Sequence, residues 1–230
     1  AMTALPSEIE AKPKVNPLLR EHTIYKIGGK RVPSVTTLLA LLNLDSKYQR
    51  LMGWQLKTVR AGLDPNAVSK DAATIGTLVH AMAEAYLLGN EVDTQFFSED
   101  QIRIAKVGFD AFLSWFAKEE LKPIQIERPL THPRLRYGGT IDLWAKSPKD
   151  HVLLDLKSST AIFWDHRIQV AAYSELARVR YKKKHRVIIL HLDKQTGVPT
   201  PHEYPDLTRE FKCFRICMEA YKLERELKGE

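Results

Sequence analysis

Residues 137–159 read YGGTIDLWAKSPKDHVLLDLKSS, and this stretch decides the fold. It contains two apolar runs that are typical of strands, 140–145 and 151–156, separated by a short polar turn with Pro148 and Asp150. We therefore predict a β-hairpin at the centre of the chain. The other elements are placed outward from it.

Three charged residues interrupt the apolar runs of this hairpin: Asp142, Asp155 and Lys157. Because side chains alternate along a strand, Asp155 and Lys157 should lie on one face, with Leu154 and Leu156 on the other. A charge beside a core costs several kcal/mol unless it is paired or bound to a metal. Either Asp155 and Lys157 form an ordinary ion pair on a half-exposed hairpin, or two carboxylates converge on a divalent cation.

Four short motifs around the hairpin favour the second interpretation. In chain order they read GTLVH at 76–80, GTID at 139–142, DLK at 155–157 and QVAAY at 169–173. Their types and order resemble the RecB-like nucleases of the PD-(D/E)XK superfamily, and the resemblance covers roughly residues 70–195. In that family a G-x-x-D strand, a (D/E)-x-K strand and a Q-x-x-x-Y helix form the active site, with a histidine on an upstream helix.

The resemblance implies an α/β fold with a PD-(D/E)XK nuclease core, in which helices flank a central mixed β-sheet, and an N-terminal helical extension. The element pattern alone also predicts an α/β layering, because the order from about 66 to 192 is helix, three strands, helix, strand. We expect a flexible arm over 1–20 and one nuclease domain over 21–230. Its helical part is placed at about 33–119 and its catalytic core at about 66–195.

Hydrophobic periods and turn residues place the individual elements. A small hairpin over 22–32 turns at Gly28 and Gly29, and Pro33 is expected in the first turn of the helix that follows. The predicted helices are 33–44, 47–61, one ending at Gly89, 98–119, 163–184 and 207–228. The predicted strands beside the central hairpin are 124–130, 187–192 and 202–204.

The resemblance also implies the site. Mg²⁺ or Mn²⁺ would be bound by Asp142, Asp155 and the backbone carbonyl of Leu156, with His80 and Glu127 at a second position. Lys157, acting with these carboxylates, would orient or deprotonate the attacking water or stabilise the transition state; a nearby metal would lower its pKa. The residues expected to contact DNA are Gln169, Tyr173, Ser158, Ser159 and Arg167.

Ordinary structural roles remain open for several of these residues. A histidine such as His80 is often only a partly buried polar group of a helix. Glu127 could form a salt bridge with Arg128 or Arg134. The basic run 178–186 is either a solvated helix end or a phosphate-binding segment.

Composition limits the remaining choices. The formal net charge is +7, which favours a polyanionic partner such as DNA. No apolar run approaches 18 residues and no signal layout begins the chain, so we expect no membrane contact and a cytoplasmic protein, or one in the host cytoplasm if phage-encoded. The only cysteines, Cys213 and Cys217, cannot hold the iron–sulfur cluster of some RecB-like nucleases.

A phosphate-binding loop of the Walker type is absent from the sequence, so no nucleotide cofactor is expected, and a helicase or recombination partner would be another chain. The predicted function is a metal-dependent deoxyribonuclease, an exonuclease acting at DNA ends in recombination, repair or phage DNA processing. The alternatives are a non-catalytic nucleic-acid-binding module on the same scaffold, or a site- or structure-specific endonuclease.

Overall fold

The computed structural model of the chain describes residues 14–17, 23–42 and 45–229, and residues 45–48 by their backbone alone. Most of the predicted N-terminal arm, 1–20, therefore lies outside the described residues. Within that arm, Lys14–Val15 forms a short strand, β1, which pairs in parallel with β4 (Glu91–Val92). The flexibility of the arm as a whole stays a prediction.

A five-stranded sheet forms the centre of the molecule. Its strands, in spatial order, are β5 (Lys122–Thr131), β6 (Gly138–Lys146), β7 (His151–Lys157), β8 (His185–Leu192) and β9 (Pro199–Glu203). Neighbouring strands run antiparallel except β7 and β8, which are parallel. The helix α5 (Trp164–Tyr181) makes the crossover that a parallel pair requires. The predicted mixed sheet and its central hairpin are confirmed.

Helices cover both faces of this sheet. Besides α5 they are α1 (Val35–Leu39), α2 (Asp45–Arg60), α3 (Pro65–Leu88), α4 (Glu99–Phe116) and α6 (Thr208–Lys228). One core cluster joins α3 and α4 to the sheet, and a second joins α1, α5 and α6 to the opposite face. The prediction of an α/β layering with helices on both sides is confirmed.

Local signals explain where the helices begin and end. Asp64 accepts a hydrogen bond from the backbone N–H of Asn66 at the start of α3, and Gly89 ends that helix in the left-handed region, with φ of 73°. Ser98 and Gln101 form a reciprocal capping box at the start of α4. These caps match the sequence predictions to within a few residues.

The N-terminal segment differs from its prediction in one useful detail. The small hairpin β2 (Lys26–Ile27) and β3 (Lys30–Arg31) forms as expected. Pro33, however, precedes the capping residue Ser34 and is not part of α1. Its carbonyl instead accepts a hydrogen bond of 2.9 Å from the N–H of Gly138, which ties the segment before α1 to the start of β6.

None of the helices among the described residues combines the length and apolar character that a membrane span requires.

Candidate active site

The regular alternation of β6 breaks at Asp142. Ile141 and Leu143 are two residues apart and should share a face, yet Ile141 is buried with α5 and α6 whereas Leu143 is buried with α3 and α4. The ladder between β6 and β7 also ends at the Leu143–Leu154 pair. The strand therefore turns over at Asp142, and its side chain lies at the point where the two strands separate.

The Asp142 side chain fills the gap that this separation leaves. Its Oδ2 accepts a hydrogen bond of 2.7 Å from the backbone N–H of Leu156 on β7. The carboxylate thus accepts the hydrogen bond that a backbone carbonyl of the neighbouring strand would otherwise accept. The contact fixes the position of Asp142 relative to the D-x-K segment.

Glu127 lies directly opposite this break on β5. The ladder pairs Ile126 with Leu143 and Arg128 with Ile141, so Glu127 faces Asp142. Its φ is 45°, in the left-handed region that a residue with a side chain rarely occupies. The regular alternation expected of a strand is therefore interrupted at Glu127. Strain of this kind, of order 1–3 kcal/mol, is typical of functional sites.

Helix α3 contributes His80 to the same point. The Nδ1 atom of His80 lies 3.7 Å from Oδ2 of Asp142, and both side chains are largely buried. One ligand atom each from His80, Glu127 and Asp142 lie within 4.8 Å of one another. Donors around one divalent cation are separated by at most about 5 Å, so this group has the spacing of a metal site.

Asp155 and Lys157 lie beside this group and form a buried ion pair. The Nζ atom of Lys157 is 2.6 Å from Oδ2 of Asp155, which confirms that the two share a face. Leu154 and Leu156 are buried on the other face, as predicted. Asp155 is not a member of the close group, although the sequence pairs it with Asp142 as the main ligands. Among the described residues, Asp155 Oδ2 has no hydrogen-bond partner, and its contact with Lys157 is an ion pair.

Burial and charge shift the protonation of this pair. Burial raises the pKa of Asp155, the Lys157 ammonium opposes the rise only in part, and the Asp142 carboxylate adds to it. Burial alone would lower the pKa of Lys157, but Asp155 and Asp142 outweigh it, so the pKa is raised. The lowered lysine pKa that the sequence suggests would have to come from a bound cation.

The Q-x-x-x-Y motif forms one unit on α5. Nε2 of Gln169 donates a hydrogen bond of 3.0 Å to the hydroxyl oxygen of Tyr173. Burial, followed by the carboxylates of Asp155 and Asp142, raises the pKa of Tyr173 well above its usual range, so the phenol is neutral. A Cβ at Gly139 would lie 2.6 Å from Cε1 of Tyr173, which explains the glycine at this position.

An unpredicted tyrosine packs against the neighbouring glycine. The Tyr25 ring lies against Gly138 and leaves no room for a side chain there. Its hydroxyl forms a hydrogen bond of 2.8 Å with Oγ1 of Thr140. The two glycines thus make room for aromatic rings, Tyr25 at Gly138 and Tyr173 at Gly139. No sequence signal links Tyr25 to β6, because the two are more than a hundred positions apart.

The remaining predicted contacts divide into two groups. Ser158 is buried against Gly76, and the Oγ of Ser159 donates to the carbonyl of Ala161 over 2.8 Å, so both serines lie in the loop after β7. Arg167 instead forms an ion pair with Glu210 and lies over the ring of Tyr204. The structure therefore joins Arg167 to α6 and to the segment before it.

The basic run 178–186 is also partly neutralised. Arg178 pairs with Glu175 on the same helix, and Arg186 pairs with Asp150 and Glu203. These contacts favour a structural role for the two arginines.

A cavity of about 920 Å³ opens onto the site. Its floor includes Glu127, Asp142 and Lys157, and one wall is the α3 face with Gly76 and His80. A much smaller neighbouring cavity is lined by His80, Glu127, Asp142 and also Glu84, which lies one turn from His80 as their spacing predicts. The large cavity is completed by residues that the sequence does not single out, among them Leu51, Trp54, Phe163 and Lys194.

Comparison with solved structures finds distant likenesses. A crystal structure of a candidate exonuclease from Eubacterium rectale is 18% identical, with 68% of each chain covered and a TM-score of 0.47. The solved protein SSO0001 is 11% identical over 65% of this chain and 73% of its own, with a TM-score of 0.36. No protein-family profile and no curated protein matches the chain.

Proposed function

We propose that the protein is a metal-dependent deoxyribonuclease of the RecB-like, PD-(D/E)XK type. The single observation that carries the proposal is the convergence of His80, Glu127 and Asp142 at the floor of an open cavity, beside the buried Asp155–Lys157 pair. Like charges and an ammonium gathered at a cavity floor are expensive for the fold alone. They are the groups that phosphodiester hydrolysis requires.

The donor set fits a hard divalent cation. Two carboxylates at the closest point of neighbouring strands repel each other unless a cation lies between them. Carboxylate oxygens suit Mg²⁺ or Mn²⁺, and the imidazole of His80 favours Mn²⁺ relative to a site of oxygen ligands alone. A bound ion of this kind would polarise the phosphate and lower the pKa of a bound water. We assign His80, Glu127 and Asp142 to it, with Asp155 and the Leu156 carbonyl as further ligands.

The other residues of the site would bind and orient the substrate. Lys157, paired with Asp155 at the site, would stabilise the charged phosphate or orient or deprotonate the attacking water. Gln169 and Tyr173 would position the scissile phosphate. Ser158 would donate a hydrogen bond to a phosphate oxygen, and Ser159 would do so only on giving up its bond to the Ala161 carbonyl.

We propose that the enzyme is an exonuclease that acts at DNA ends, in recombination, repair or phage DNA processing. The preference for ends and the biological setting rest on the resemblance to RecB-like nucleases. A helicase or recombination protein on another chain would be a fitting partner, since the sequence has no nucleotide-binding loop of its own.

A digestion time course tests the proposal. Linear DNA labelled at either the 5′ or the 3′ end, and a closed circle, are incubated with Mg²⁺, Mn²⁺ or EDTA. We expect loss of the linear substrates with metal, no loss in EDTA, and an intact circle. Cleavage of the circle would identify an endonuclease.

A matched pair of variants assigns the activity to the site. Asp142→Asn removes a carboxylate of the proposed metal site. Asp150→Asn makes the same change in the turn of the same hairpin, where Asp150 pairs with Arg186. Only the first should abolish hydrolysis. DNA binding without turnover in any divalent metal would instead support the non-catalytic binding module, and full activity of Asp142→Asn would reject the site.

A further inference from the structure

One wall of the large cavity is a face of α2 that the proposed chemistry does not use. Leu51 and Trp54 are three residues apart, so they lie on one side of the helix, and both line the cavity. Their exposed fractions are 50% and 38%, so substantial apolar surface remains open to solvent there. Core packing alone does not explain an indole at this partly exposed position.

A second aromatic ring also lines this cavity. Phe163 lies immediately before α5 and lines the same cavity. The guanidinium of Arg50, on α2, lies 4.7 Å from the centroid of this ring. The contact connects Phe163 to the part of α2 that carries Trp54, because Arg50 and Trp54 are one helical turn apart.

A further cation lines the cavity. Lys194 follows β8 and lines the cavity, and its Nζ donates to the carbonyl of Ala72 on α3 over 3.4 Å. The cavity lining thus combines the rings of Trp54 and Phe163 with Lys157 and Lys194, and Arg50 lies beside the Phe163 ring. Proteins that bind unpaired nucleotides combine aromatic rings with cationic side chains. Any base can stack on a ring, and the positive charges attract the phosphates.

We propose that this cavity receives single-stranded DNA, with bases stacking on Trp54 and Phe163 as the strand passes to the site floor. A duplex keeps its base faces stacked inside the helix, where neither ring can reach them. The walls would therefore select unpaired strands and give the enzyme a preference for single-stranded substrate. The inference deepens the proposed function and rests on it for DNA as the substrate class.

Equilibrium binding in EDTA tests the inference without any hydrolysis. A fluorescein-labelled oligo(dT) and the same strand annealed to its complement are titrated with the intact chain, and anisotropy is recorded. We expect tighter binding of the single strand. Equal or tighter binding of the duplex would overturn the proposal, whether or not the protein proves to be a nuclease.

Three variants locate the stacking. Trp54→Leu keeps an apolar side chain but removes the ring, and it should weaken single-strand binding by about tenfold, the loss typical of one base–aromatic stack. Trp54→Phe keeps a ring and should retain most of the affinity. Phe96→Leu is the matched control, because Phe96 is 54% exposed and lies outside the cavity lining; its affinity should not change.

Two results would reject the assignment to Trp54. One is an unchanged affinity of Trp54→Leu for the single strand. The other is an equal loss for single strand and duplex, which would indicate a general effect on the protein. A failure of hydrolysis with normal single-strand selectivity would count against the proposed function alone, so the two proposals fail separately.

Discussion

Both halves of the central hairpin contain carboxylates and cationic side chains. In one half these residues stabilise the fold, and in the other they form the candidate active site. In the half near the turn, 143–154, the ladder is continuous, and the Asp150 carboxylate accepts hydrogen bonds from Ser147 and Arg186. In the half near the site, 138–142 and 155–159, the ladder is interrupted, and Asp155 is buried beside another carboxylate. Satisfied polar groups stabilise the first half, whereas the second holds charges that only a ligand can fully compensate.

The largest expected difference between the halves is in activity. Lys157→Ala removes the ammonium that faces the proposed phosphate position, and the rate of DNA hydrolysis with Mn²⁺ should fall by at least about a hundredfold. Lys149→Ala removes an exposed lysine from the turn of the same hairpin and should leave the rate unchanged. Similar rates for the two variants would remove Lys157 from the mechanism.

The second prediction concerns stability in EDTA. Lys157→Met leaves the buried Asp155 carboxylate without its cation, so the free energy of unfolding should fall by about 3 kcal/mol. Adding Asp155→Asn to the same chain should recover at least half of that loss, because both charges are then gone. Urea unfolding of the two single variants and the double variant measures the coupling. Simple additivity of the two changes would show that the pair does not interact.

The third prediction concerns the strained backbone opposite Asp142. Glu127→Gly should raise the free energy of unfolding by about 1 kcal/mol, because glycine accepts a φ of 45° without steric strain. Glu127→Gln keeps the strain and should not show this gain. Both variants lose the carboxylate, so both should bind Mn²⁺ more weakly in isothermal titration. Equal stability of the two would mean that the backbone at 127 stores no strain.

The smallest effect is expected in the turn half. Burial favours the neutral form of Asp150, but hydrogen bonds from Ser147 and Arg186 outweigh it and lower its pKa below the usual 3.8. A lowered folded-state pKa means stabilisation that is present above pH 3.8 and lost as the pH falls through the lowered value. Asp150→Asn should therefore cost at most about 1 kcal/mol at pH 7, since the pair is partly exposed. Thermal melts should show the difference shrinking toward pH 3; an equal difference at both values would contradict it.

Hydrophobic periodicity and capping residues were sufficient to predict most of the helices and strands. The hairpin follows from two apolar runs around a polar turn, and α3 and α4 follow from Asp64, Gly89 and Ser98. The shared face of Asp155 and Lys157 also follows, because β7 keeps its alternation to the end. The resemblance to RecB-like nucleases named His80, Glu127 and Asp142 as candidate ligands, but it grouped Asp142 with Asp155 and placed the other two at a second position.

The rest depends on tertiary contacts that carry no local signal. Strand alternation predicts that Ile141 and Leu143 share a face, and only the contact of Asp142 with Leu156 explains why they do not. The positive φ of Glu127 is likewise invisible in an unremarkable strand sequence. Trp54 and Phe163 are ordinary apolar residues of their own segments until the fold brings them to one cavity.

The packing of Tyr25 on Gly138 also affects how far towards the N-terminus a functional fragment of this protein must extend. All the motif residues lie at position 76 or beyond, and a fragment that began near residue 66 would contain every one of them. Such a fragment would lack Tyr25 and Val35, whose side chains lie against Gly138 and Gly139 and so support the first residues of β6. Trimming the chain to its motifs would remove these contacts from the strand that carries Asp142, so the smallest functional fragment should extend back at least to the hairpin next to Tyr25.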